Sequence, residues 1–165
     1  MTTPAVLVQL FEPWSSLYAD SRLVATLVVF GHIASLMVAG GLAITFDRGT
    51  LRAVRATDLR SRHLAELAGA HRMVIAGLAM SAVTGSLLFA SDVETYFVSW
   101  IYWTKMSLIV VLLANGWNMS RVEGTLRLAP SDAEPGWRRM RTSAVVSLVL
   151  WFAIALAGVA LVNAV

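Results

Sequence analysis

Two ionisable residues of this chain stand inside long apolar runs, where a polar group is expensive and is a functional hypothesis by default. His32 lies within residues 23–46 and Lys105 within residues 97–119. An imidazole offers a metal or haem-iron ligand, a proton relay or a hydrogen bond. An amine offers a second iron ligand or, as an ammonium, a partner for a haem propionate. Composition restricts other chemistry. The 165 residues include no Cys, which excludes disulfides, thiolate metal sites, iron–sulfur clusters and a thiol nucleophile. Metal chemistry rests on three His, the ten Asp and Glu, and seven Met, and the Met lack the repeated spacing of a copper(I) site. The sequence shows no Ser-His-Asp set, Gly-rich phosphate loop or His-Glu zinc signature.

The elements that must position these residues follow from hydropathy. The chain is 58% hydrophobic and 14% charged, against about 45–50% and about 25% for a soluble domain. Its mean hydropathy is +0.70. A soluble globule and a disordered chain are both excluded. A spanning helix needs about 20 apolar residues, and four stretches supply them, at about 23–46, 71–90, 97–119 and 144–165. Period-two alternation is absent, which excludes a membrane barrel. The expected fold is all-α, an integral membrane four-helix bundle forming a single domain over residues 1–165. Of the 13 Lys and Arg, all but Arg22 and Lys105 fall between spans one and two or between spans three and four, counting Arg72 at the very start of span two with the first group. The short loop between spans two and three carries Asp92 and Glu94 instead. Both long loops are therefore expected on the cytoplasmic side and both termini on the other. The basic pI near 10.0 then reflects topology and contact with anionic lipid headgroups rather than nucleic acid.

The N-terminus lacks the basic stretch of a cleavable signal peptide. Residues 4–19, apolar with Trp14 and Tyr18 and interrupted at Pro13, read as an interfacial helix. Trp100, Tyr102 and Trp103 mark the same outer interface. Thr57 or Asp58 is expected to cap a helix that runs from residue 59 into span two. Residues 129–136, with two Pro, read as a turn before span four.

Depth then relates the candidate residues. At 1.5 Å per residue, His32 sits about 14 Å and Lys105 about 12 Å inside the outer face. Spans one and three run in the same direction, so the two share a layer. His71 opens span two at the cytoplasmic edge, about 15 Å below His32. That separation prevents the two His from ligating one haem, and leaves His71 as a possible ligand of a second site. His63 is further still. Gly40, eight residues after His32 on nearly the same face, thins the helix and would admit a flat macrocycle. Gly77, Ser81 and Gly85, spaced at four, let helices approach closely. The alternatives are that His32 makes a structural cross-helix hydrogen bond or relays a proton, and that Lys105 is a snorkelling cation. Asn115 and Asn118 are expected to bond between helices. Met119 and Met140 read as filler, and Asp47 with Arg48 and Glu66 with His63 as solvated pairs at the cytoplasmic edge.

A resemblance rests on Phe30-Gly31-His32-Ile33, Asp47-Arg48, the run Thr84-Gly85-Ser86-Leu87-Leu88-Phe89-Ala90-Ser91-Asp92, Tyr96, Lys105-Met106 and Asn115. This pattern, over about residues 30–121, resembles a family of bacterial four-helix membrane proteins of uncharacterised function. More remotely, the first-span His and third-span Lys are similar to those of HemJ-type protoporphyrinogen oxidases and CopD-like membrane domains. The resemblance to HemJ-type proteins implies haem b binding by His32 and Lys105. Their Leu-Pro-Arg motif is replaced here by LAITFDR over residues 42–48, so it implies haem binding rather than porphyrinogen oxidation. The expected function is thus a haem b protein of the bacterial cytoplasmic membrane, exchanging electrons with a quinone or a larger membrane complex. The alternative is a non-catalytic accessory or anchor subunit of such a complex.

Overall fold

An apolar stretch must satisfy its backbone polar groups within itself, and helices do this along almost the entire chain. A computed structural model describes residues 5–128 and 133–164, apart from the side chains of Ala68, Ala70, His71 and Ala133. It contains α1 (Ala5–Asp20), α2 (Arg22–Arg55), a 3-10 turn (Thr57–Leu59), α3 (Arg60–Ser91), α4 (Val93–Val98), α5 (Trp100–Leu128) and α6 (Ala133–Ala164). No strand occurs among the described residues.

Three segments are long and apolar enough to cross a membrane: Arg22–Arg55, Arg72–Ser91 and Glu134–Ala164. The expected third span, in α5, falls outside that set. Lys105, Asn115, Asn118 and its Trp residues lower the hydropathy of an otherwise aliphatic helix. Large apolar side chains cover the outward faces, among them Phe30, Met37, Val110 and Leu156, a distribution suited to lipid and costly in water.

Several boundaries differ from expectation for identifiable reasons. The helix α1 runs through Pro13 instead of breaking there. Pro removes one backbone bond, but Trp14 Nε1 donates to the Leu87 carbonyl at 2.8 Å and α1 packs along α3. At the α2–α3 turn neither Thr57 nor Asp58 caps α3. The extended residue is Ala56, at φ −124° and ψ 101°, and the chain enters α3 through the 3-10 turn without a side-chain cap. The acidic loop is itself a helix, α4, where Asp92 Oδ1 accepts from Thr95 N at 3.2 Å. Of the expected turn at 129–136, residues 129–132 lie outside the described residues, while Pro135 and Gly136 belong to α6. Pro is tolerated in a first turn because its missing N–H has no helical partner there. A Cβ on Gly136 would stand 2.5 Å from Leu126 Cδ2, so its absence lets α5 and α6 close together.

The helices pair mainly with their sequence neighbours. α2 folds back on α3, α5 on α6, and the two hairpins join along α2 and α6. One core cluster lies towards the Arg-rich turns, around Leu67, Met119, Trp137 and Met140; the other lies further along, around Ala39, Leu112, Trp151 and Ile154. Met119 and Met140 are core filler, as their apolar character suggests.

Candidate functional site

The seat of His32 is built by small residues on facing helices. The stripe Gly77-Ser81-Gly85 on α3 lies against α2: a Cβ on Gly77 would meet the Ala39 Cβ at 2.9 Å, and one on Gly85 would meet His32 Cε1 at 3.1 Å. The stripe therefore brings the helices close and makes room for the imidazole. His32 is half-buried, and its Nδ1 lies 3.1 Å from the Ser81 carbonyl and 3.2 Å from Thr84 Oγ1. A carbonyl only accepts, and the Thr84 hydroxyl already donates to the Met80 carbonyl at 2.8 Å. The network thus assigns the proton to Nδ1 and leaves the Nε2 lone pair uncommitted in the neutral ring. An imidazole oriented in this way, with one nitrogen donating to a backbone carbonyl, is the usual supporting arrangement behind a metal-ligating His.

Lys105 lies within electrostatic reach of His32. Its Nζ is 3.6 Å from the position a Cβ on Gly158 would take, so the missing side chain on α6 gives the amine its space. Gly40 is buried, and a Cβ there would meet the Trp151 ring at 3.3 Å. The indole fills that notch and joins α2 to α6. His71 belongs to α3, but its side chain lies outside the described residues. Among the described residues no group of three or more His, Asp or Glu could hold a metal ion. The layer thus presents one imidazole nitrogen of fixed tautomer, an amine within electrostatic reach, and aliphatic residues such as Leu36 and Leu108 on the same helices.

A second polar region lies towards the Arg-rich turns, and it corrects two readings. Asp47 is not a solvated partner of Arg48. It is 3% exposed, its carboxyl accepts from Ser147 on α6, and its Oδ2 has no partner. It lines a cavity of about 330 Å³ between α3 and α5. His63 is not a solvated partner of Glu66 either. It is buried, with Nε2 2.8 Å from the Oγ1 of Thr50, which is fully enclosed. Glu66 pairs instead with Arg62 at 2.9 Å. Burial holds the His63 imidazole below its ordinary value, against the opposing pull of Glu66 and Glu123. Glu123 is paired with Arg127 at 2.7 Å, and Arg127 also donates to the Leu64 carbonyl, tying α5 to α3.

The signal for Asp47 and Thr50 was present in the sequence. The buried positions of α2, namely Val28, Ser35, Ala39, Gly40, Asp47, Thr50 and Ala53, follow one helical stripe. Extending that stripe past residue 46 reaches both. The Asn residues behave as expected: Asn115 Nδ2 donates to the Ser143 carbonyl at 2.9 Å and Asn118 Nδ2 to Ser143 Oγ at 3.3 Å. At the opposite end Phe89 and Tyr102 stack at 5.2 Å, with Tyr96 and Trp103 beside Tyr102. Burial raises the Tyr96 phenol above its ordinary value, with Asp92 and Tyr18 adding to it.

Set against protein-family models, curated proteins and solved structures, the chain matches none.

Proposed function

We propose that this chain is a four-span haem b-binding protein of the bacterial cytoplasmic membrane with a role in electron transfer. In this reading α2, the second half of α3, α5 and α6 are the spans, and α1 lies in the outer interface. The Arg-rich turns face the cytoplasm and both termini the other side. His32 would hold the haem iron through Nε2, with Lys105 as a second ligand or as the partner of a propionate. Haem b, when bound, supplies one-electron iron chemistry. The protein's part is to hold the imidazole by Ser81 and Thr84, to keep an amine near it, and to exclude water with aliphatic neighbours. Gly40 serves helix packing in this reading, because Trp151 occupies its notch. Electrons would pass between the haem and a quinone or a larger membrane complex.

The observation that carries the reading is the His32 ring, whose Nδ1 is committed to Ser81 and Thr84 in an apolar layer shared with Lys105. The test is the visible spectrum of the full chain purified from haem-replete cells, oxidised and reduced. A Soret band is expected, lost in His32→Ala while helix content by circular dichroism is kept. Lys105→Met is expected to alter the reduced-minus-oxidised spectrum or the midpoint potential. A colourless wild-type preparation refutes haem binding and leaves the accessory-subunit reading.

A further inference from the structure

The cavity beside Asp47 is separate from the His32–Lys105 layer. Asp47 follows His32 by fifteen positions on α2, or about 22 Å along the axis. It arises because α3 and α5 meet through side chains near the turns, around Leu67 and Met119, with little direct backbone approach further along. Ile75 on α3 and Leu113 and Trp117 on α5 flank the opening, and all three are exposed on the outer face. The entrance therefore faces sideways, towards lipid in the four-span reading.

The interior is apolar apart from a polar floor. Phe46 and Trp151 supply aromatic wall, and Asp47, Ser147, Asn115 and Ser120 supply the polar groups; the Ser120 hydroxyl donates to the Gly116 carbonyl at 3.1 Å. Asn115 is committed to the Ser143 carbonyl and Ser147 to Asp47. What remains is Asp47 Oδ2, buried and without a partner. A buried acceptor left unmatched is costly, and a cavity of about 330 Å³ is within the size range of small-molecule sites. We infer that this cavity binds a lipid-soluble hydroquinone, or another phenol with an apolar tail. The ring lies between Phe46, Trp151 and Trp117, a phenolic hydroxyl donates to Asp47 Oδ2, and the tail leaves between Ile75 and Leu113. The aromatic walls favour a flat ring over an alkyl chain, and the unpartnered buried oxygen of Asp47 favours a neutral donor at its head.

The test uses the full chain in lipid nanodiscs, titrated anaerobically with decyl-benzohydroquinone and followed by its thermal unfolding midpoint. Selective binding to the folded state raises that midpoint saturably. Two controls share the tail: the dimethyl ether of the same compound, which has no donor, and a long-chain aliphatic alcohol, which has no ring. The hydroquinone is expected to bind at least about tenfold more tightly than either, a difference of about 1.4 kcal/mol. Asp47→Leu keeps the branched shape and removes the acceptor; it is expected to lose that preference while remaining folded. Gly116 lines the cavity and nothing lies within 4 Å of a Cβ there, so Gly116→Leu adds bulk to that wall and is expected to abolish saturable binding with Asp47 intact. Equal stabilisation by all three compounds, or undiminished hydroquinone binding in both variants, overturns the proposal. His32→Ala is expected to bind the hydroquinone normally, so failure of haem binding and failure of this site are read separately.

Discussion

The contact between Thr50 and His63 gives the sharpest test of how the Arg-rich end is held. Thr50 is fully enclosed and its hydroxyl meets His63 Nε2 at 2.8 Å. Thr50→Val keeps the branched shape and removes only the hydroxyl, so little packing changes and one buried ring nitrogen is stranded. A buried polar group left unsatisfied costs about 1–3 kcal/mol. Replacing both partners, as in Thr50→Val with His63→Leu, strands nothing and is expected to recover much of that loss. The coupling between the two substitutions should therefore be well above about 0.5 kcal/mol. Reversible unfolding in mixed micelles, driven by added anionic detergent, measures all four proteins of the cycle. The pH dependence has a definite sign. Burial lowers the native His63 pKa below 6.5, so the unfolded chain takes up the proton first. The stability linked to neutral His63 is fully present above about pH 6.5 and is lost as pH falls through the native value. Wild-type protein should lose stability between about pH 8 and about pH 5.5 by more than His63→Leu does. A Thr50→Val protein within about 0.5 kcal/mol of wild type, or one equally affected with and without His63, refutes the reasoning.

Other perturbations follow from close contacts. Gly77→Ala gains about 1 kcal/mol of helix propensity but must push its Cβ away from Ala39, at 2.9 Å. Overpacking costs about 1–3 kcal/mol, so a net loss of up to about 2 kcal/mol is expected, measurable by the same unfolding assay. Trp14→Phe removes the 2.8 Å bond to the Leu87 carbonyl. It should release α1 from α3, seen as faster amide exchange over 5–20, at a cost near 1 kcal/mol. Asn115→Leu loses its bond to the Ser143 carbonyl; inter-helix bonds in membranes average about 0.6 kcal/mol, so a loss below about 2 kcal/mol is expected.

The sequence was most informative where one force dominated. Hydropathy alone located the long helices, because an apolar run has few alternatives to satisfying its own backbone. The small-residue stripe on α3 was legible for the same reason: Gly77, Ser81 and Gly85 leave a surface that only a close neighbour fills. Less legible were features set by tertiary partners. Pro13 breaks a helix in isolation, yet Trp14 has an anchor on α3 that no local pattern discloses. Gly40 looked like space for a ligand, and the residue occupying it, Trp151, is more than a hundred positions away. Asp47 and His63 looked like surface charges because they adjoin Arg48 and Glu66 in sequence. Their burial depends on α2 and α3 continuing as helices beyond the apolar segments, where the inward-facing stripe carries polar residues into the interior.

The meeting of Gly40 with Trp151 has a bearing on how the molecule is assembled. Because α2 pairs with α3 and α5 with α6, each hairpin has its main partner within reach soon after synthesis. The indole and its notch belong to different halves, so their engagement must await the arrival of the second. A bulky side chain at Gly40 would then spare the early pairings and obstruct the late one, yielding paired halves that fail to join.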